Sequence, residues 1–193
     1  MIAILKYNAG NIGSVKNALS RLGYQSVITN NPDTIKQAHK VIFPGVGQAK
    51  SAMNYLKERQ LDQLIKTLTQ PVLGICLGLQ LMCKWSEEGN INCLGIFNTK
   101  TKRFPPHDKV PHVGWNNFSE HKSSKILKNT AATDNLYYVH TYYAELCKAT
   151  IATCNYIVTF SAVMQQKNFY AMQFHPEKSS TVGEQLLKNF LTL

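Results

Sequence analysis

An α/β fold built on a mixed, mostly parallel central sheet is what this chain predicts, on three observations. Through the first half, short apolar runs alternate with stretches whose apolar residues recur at helical spacing. Such alternation marks strand–helix units, which lay parallel strands side by side beneath helices on both faces. In the second half, four strand-like runs follow one another without long helices, so antiparallel strands are added there. A last apolar helical stretch ends the sequence.

Taken in order, Met1 to Tyr7 is a buried-strand run, and Ile12 to Leu22 carries Ile12, Val15, Leu19 and Leu22 on one helical face before Gly23 ends it. Gln25 to Thr29 and Val41 to Phe43 read as strands, with a helix from about Pro32 between them. Gln48 to Thr69 is helical with a break near Gln60, and Val72 to Cys76 is the next strand. Strands follow at Tyr137 to His140, Ile151 to Asn155, Ala162 to Gln165 and Tyr170 to Phe174, then a helix from Val182 to Leu193. The 193 residues suit one domain, residues 1–193, around one sizeable core, with no repeat or linker-like stretch.

Composition removes several function classes. No apolar run is long enough to span a bilayer, and the apolar start is cut by Lys6 without the pattern of a secretory signal, so a cytoplasmic protein is expected. Five cysteines (76, 83, 93, 147 and 154) contain no Cys-x-x-Cys pair, which signals neither a disulfide framework nor a zinc site; no metal and no cofactor are expected. The net charge of +10 comes from scattered lysines rather than a basic stripe, so it reads mainly as a solubility trait; no nucleic-acid partner is inferred, and an acidic protein partner is the next possibility.

The chemistry begins at Pro71 to Gln80, where an apolar strand runs through Gly74, Cys76 and Gly78 into a helical pattern. A nucleophile on such an elbow requires small residues two before and two after it, because the turn is tight. A helix starting just past Cys76 aims unpaired amides at the sulfur, which lowers the thiol pKa and offers the Leu77 amide as an oxyanion donor. Taken alone, this elbow also fits a buried core thiol. The second half of the site is Gln173 to Glu177, where a strand runs into His175-Pro176-Glu177. Pro176 biases His175 toward an extended conformation, in which residues two apart project to one side, so His175 and Glu177 can pair. A thiol nucleophile requires a base, and the base works best when a carboxylate orients it. Cys76, His175 and Glu177 supply those roles. His39, His107, His112, His121 and His140 lack a carboxylate two residues on in a strand-end setting.

These two segments together resemble the signatures of the class I, triad-type glutamine amidotransferases, whose three-layer fold the chain is then expected to share. The resemblance implies that Cys76 attacks the side-chain amide of glutamine, that His175 protonates the departing ammonia and activates water, and that Glu177 orients His175. Further segments, Tyr7 to Val15, Phe43 to Gly47, Pro111 to Asn116, Tyr138 to Tyr142 and Cys154 to Tyr156, resemble the glutaminase subunits of imidazole glycerol phosphate synthases from end to end. Such subunits form a heterodimer with a (β/α)8-barrel cyclase that makes imidazole glycerol phosphate and AICAR in histidine biosynthesis. By that resemblance Gly45 and Val46 belong to an oxyanion loop able to flip a peptide, while Gly47, Gln80, Glu88, Thr141 and Tyr142 face the substrate glutamine. Asn8, Gly10, Asn11, Trp115 and Asn116 fall at the partner interface. Lys6 departs from the pattern, standing where an aspartate is common. The alternatives are a paralogous subunit that supplies ammonia for amidination of a surface sugar and a non-catalytic binding subunit.

Overall fold

The structure, a computed structural model, describes residues 1–8 and 10–193. Its elements run β1 (Ile2–Leu5), α1 (Ile12–Arg21), β2 (Ser26–Thr29), α2 (Pro32–Gln37), β3 (Lys40–Phe43), α3 (Ala49–Glu58), α4 (Leu61–Thr67), β4 (Val72–Ile75), α5 (Leu77–Met82), β5 (Cys83–Ser86), β6 (Ile91–Asn92), β7 (Phe97–Arg103), β8 (His112–Asn116), β9 (Glu120–His121), β10 (Leu136–His140), β11 (Tyr142–Ala144), β12 (Thr150–Asn155), β13 (Thr159–Gln166), β14 (Phe169–Met172) and α6 (Ser180–Leu191). Eight strands make the main sheet in the order β2-β1-β3-β4-β14-β13-β12-β9. The pairs from β2 to β14 are parallel and those from β14 to β9 antiparallel, which is the mixed sheet the sequence predicts.

Each inner strand is apolar on both faces. Ala3 and Leu5 join Phe43, Val72 and the buried sides of α3 and α4 on one face, while Ile2 and Ile4 join Ile42, Leu73, Ile75, α1 and α6 on the other. Two cores separated by a sheet give the three-layer architecture. Burying side chains of this size stabilises the fold by about 1.5–3 kcal/mol each. The helix expected from 48 to 69 breaks where anticipated: Gln60 sits in the left-handed region at φ 57°, ending α3 and preceding α4.

The stretch from 83 to 121 holds strands that sequence patterning does not signal. β5, β6, β7 and β11 form a separate four-stranded sheet, and β8 with β10 a two-stranded ribbon. Along β7 the buried positions are Phe97, Thr99 and Thr101, so the in–out alternation is carried largely by threonines and leaves little hydropathy contrast.

The sheet brings the two distant motifs together. β3, β4 and β14 are parallel neighbours, with Phe43 beside Gly74 and Ile75 beside Met172, so all three end at the same level. The Cys76 amide donates to the Met172 carbonyl at 2.8 Å, extending the ladder one step past the strand. The Pro44 to Gly47 loop, Cys76 and His175 therefore leave the sheet at one edge, where open α/β sheets hold their ligands.

Candidate active site

Cys76 turns between β4 and α5 with φ 52° and ψ −105°, a conformation that costs a non-glycine residue on the order of 1–3 kcal/mol and is kept where surrounding packing enforces it. The packing is visible at the flanking glycines. A Cβ on Gly78 would run into the Phe43 carbonyl oxygen, and one on Gly74 would meet the Gly78 backbone at 2.9 Å. Helix α5 thus lies against β3 at a distance only glycine allows. The sulfur is nearly buried, 5% exposed for the residue, at the floor of a cleft of about 210 Å³ lined by Val46, Gly47, Leu77, Gln80, Glu88, Val139, His140, Thr141 and Tyr142.

His175 sits behind that floor, fully buried. Its Nδ1 lies 2.7 Å from Glu177 Oε1. Pairing arises differently from the expected extended spacing: His175 is extended, but Pro176 to Lys178 form one 3₁₀ turn, which swings Glu177 back beneath the ring. Proline favours the first position of such a turn because it has no amide to leave unpaired. The Glu177 carboxylate also accepts the Asn11 side-chain amide. Because Nδ1 directs its hydrogen to Glu177, Nε2 is the free nitrogen of the ring, with no hydrogen-bond partner among the described residues. Burial alone lowers the imidazole pKa, but Cys76 and Glu177 together outweigh it and hold His175 up at about 10. The arrangement stabilises an imidazolium beside a sulfur, the condition for a reactive thiolate.

The oxyanion donor expected from Leu77 is occupied. The Leu77 amide donates to the Gly45 carbonyl at 3.2 Å, the Gly10 amide donates to the Val46 carbonyl at 3.0 Å, and the Tyr7 hydroxyl donates to the Pro44 carbonyl. Three successive carbonyls of the loop are thus held. Gly47 has φ 142°, a backbone angle that favours glycine; Gly45 instead provides space, since its Cβ would collide with the Tyr7 hydroxyl.

Of the expected substrate contacts, Gly47, Gln80, Glu88, Thr141 and Tyr142 all line the cleft. Glu88 is no free loop carboxylate: Oε2 accepts the Ala49 amide at 2.7 Å at the start of α3, and burial raises its pKa against that bond. Gln80 Nε2 donates to the Tyr142 carbonyl at 2.8 Å. Of the expected interface residues, Asn8 and Gly10 are exposed, Trp115 is 56% exposed, and Asn116 is partly buried. Asn11 lies instead against the triad, because the left-handed turn at φ 68° that starts α1 directs its side chain inward. Sequence reading missed Gln173, whose Nε2 is 3.6 Å from Cys76 Sγ; its place in the strand-end motif was the available signal. Among the described residues no cluster of three or more histidine, cysteine or carboxylate side chains could hold a metal.

Comparison with known proteins agrees with this geometry. Residues 4–193 match the family model described as "Glutamine amidotransferase class-I". Curated relatives named "Imidazole glycerol phosphate synthase subunit HisH" are 54% identical in Bacteroides fragilis and 46% in Blochmanniella floridana, each match covering 100% of this chain and 99% of the relative. The crystal structure of a putative GMP synthase protein from Thermoplasma acidophilum superposes with TM-score 0.76 at 17% identity over 99% of this chain and 92% of that one. PurLQS from Thermotoga maritima gives 0.74 at 12% identity over 99% and 97%, a likeness of fold. No helix among the described residues is long and apolar enough to cross a membrane.

Proposed function

The chain belongs to the class I glutamine amidotransferases, and from that premise we propose that it is the glutaminase subunit of an imidazole glycerol phosphate synthase. It is a single cytoplasmic domain, residues 1–193, that hydrolyses glutamine to glutamate and ammonia. The ammonia passes to a (β/α)8-barrel cyclase partner, which makes imidazole glycerol phosphate and AICAR in histidine biosynthesis. The observation that carries the reading is Cys76 on a strained elbow at the floor of the cleft, with the buried His175–Glu177 pair behind it.

Cys76 Sγ gives its proton to His175 and attacks the side-chain amide carbon of glutamine. His175 returns that proton to the leaving nitrogen, releasing ammonia and leaving a glutamyl thioester. His175 then deprotonates water, which attacks the thioester carbonyl; glutamate leaves as the sulfur regains the proton. Glu177, steadied by Asn11, fixes the tautomer of His175 and supports its charge. Both tetrahedral intermediates require an oxyanion donor. Turning the Gly45–Val46 peptide frees the Leu77 amide from the Gly45 carbonyl and points the Val46 amide inward, so the resting loop keeps the protein quiet until partner and acceptor are in place.

The docking face is the β8–β10 ribbon, where Val113 and Trp115 project side by side, 53% and 56% exposed. Aromatic anchors of this kind carry much of an interface's energy. The test is glutamate release from glutamine with and without a cyclase partner and its ribonucleotide ligand, with Cys76→Ala run in parallel. Stimulation that vanishes in the variant supports both triad and partner. No stimulation, with the cyclase active on free ammonia, moves the acceptor to another partner such as a sugar-amidinating enzyme.

A further inference from the structure

Three segments that the sequence singles out, His112 to Asn116, Tyr138 to Tyr142 and Cys154 to Tyr156, are used only in part by the triad and the docking face. They meet in one cluster, buried at its two imidazoles and open to the surface at Asn116 and Asn155. The Asn116 side chain accepts the Asn117 amide through Oδ1 at 2.8 Å, which fixes its orientation, and its Nδ2 faces both the Asn155 carbonyl at 3.0 Å and His112 Nε2 at 3.3 Å. His112 Nε2 must then accept, so its hydrogen is on Nδ1, which lies 3.1 Å from His140 Nε2. At the other end His140 Nδ1 lies 2.9 Å from the Tyr142 carbonyl, which can only accept, so His140 also carries its hydrogen on Nδ1. Both ends of the chain impose the same hydrogen-bond direction.

The chain continues into the cleft. The Tyr142 carbonyl also receives Gln80 Nε2, which is 3.3 Å from Gln173 Oε1, and Gln173 Nε2 approaches Cys76 Sγ. Both imidazoles are buried, 3% and 5% exposed, and His112 is stacked between Tyr156 at 4.1 Å and Tyr138 at 4.9 Å. Phe104 and Phe160 close the sides. The titratable groups around the pair are Tyr138, Tyr156 and His175, and no carboxylate pairs with either ring among the described residues. Burial in this box pushes His112 down to about 4 and His140 to about 3, so both stay neutral at neutral pH.

We propose that His112 and His140 are positioning residues of the glutamine cleft, two neutral imidazoles in series that hold the Tyr142 carbonyl, and with it Gln80 and the Thr141–Tyr142 wall, where the substrate seats. The role rests on the glutaminase reading. Among the described residues neither ring hydrogen-bonds the reacting sulfur; the pair sets the spacing of the wall that faces it. Its direction matters, because reversing either tautomer would aim two N–H groups, or two lone pairs, at each other in a buried place.

The first test is the ring ¹⁵N spectrum of the native protein. Nδ1–H tautomers at both His112 and His140 are expected, although free histidine prefers Nε2–H, and an Nε2–H form of either ring would overturn the proposal without any variant. The second uses glutamine kinetics of the complex with the cyclase. His112→Phe keeps the stacking and removes the donor, and is expected to raise KM for glutamine about fivefold while kcat changes by less than about twofold. His112→Asn, whose amide stands in for Nδ1–H, is expected to recover most of that loss. His112 faces inward, opposite the exposed Val113 and Trp115, and Asn116 keeps its bond to the Asn155 carbonyl, so an unchanged cyclase Kd is expected in both variants and is measured beside the kinetics. A native KM in His112→Phe, or equal losses in both variants, would overturn the role. Failure of the native complex to release glutamate would sink the glutaminase reading instead, and leave the tautomers as a separate result.

Discussion

Two buried histidine clusters lie close together here and have opposite electrical characters. His175 meets a carboxylate and a thiol and is held up at about 10, whereas His140 meets another imidazole and a carbonyl and is pushed down to about 3. Burial acts on both in the same sense, disfavouring charge. What differs is whether a partner can bear the compensating charge: Glu177 and Cys76 can, while the Tyr142 carbonyl and the His112 ring cannot. A buried histidine is thus a proton carrier or a fixed spacer according to its nearest acidic group.

Removing the groups that distinguish the clusters gives the largest effects. Cys76→Ala is expected to lower glutamine-dependent turnover by at least about 10⁴-fold, with ammonia-dependent synthesis at the partner retained. In the same variant a ring titration followed by NMR should place His175 below about 10, because one of its two supports is gone. An unmoved titration would show that Cys76 does not help hold His175 up.

Glu177→Gln keeps the shape and removes the carboxylate, and is expected to cost about 10²-fold in kcat. KM should change little. An equal loss from Gln substitution at the exposed Glu120 would show the effect to be non-specific.

Trp115→Ala sharpens the contrast on strand β8, whose other face carries His112. The anchor's loss is expected to weaken cyclase binding by about 2 kcal/mol, roughly 30-fold in Kd, by calorimetry. The melting temperature of the isolated chain should stay near native, since the side chain is more than half exposed.

The most diagnostic effect is the pH dependence of stability. For His175 the folded pKa is raised, so its contribution is complete below about 6.5 and fades as pH rises toward about 10. For His112 and His140 the folded pKa is lowered, so stability is complete above about 6.5 and falls as pH drops toward about 4 and about 3. Together the clusters give a dome near pH 6.5, with slopes up to about 1.4 kcal/mol per pH unit for each histidine. Urea midpoints across the range would trace it. Glu177→Gln should flatten the alkaline side, and His140→Phe the acid side.

The alternation that builds the parallel sheet, the break at Gln60, the glycine-flanked Cys76 and the His175–Pro176–Glu177 run are all legible in the order of residues. These depend on neighbours within a few residues, through helical and strand periodicity, tight turns and the restricted angles of proline. Folding in three dimensions is what lets Asn11 support Glu177 across 166 positions, the Gly45 carbonyl hold the Leu77 amide, and His112 and His140 share a hydrogen 28 positions apart. The short strands between 83 and 121 belong with these, because threonine-lined pairing carries little hydropathy signal. In each case the interaction is defined by which atoms a fold brings within about 3 Å, and hydrogen-bond direction at that range is set by geometry rather than by residue type.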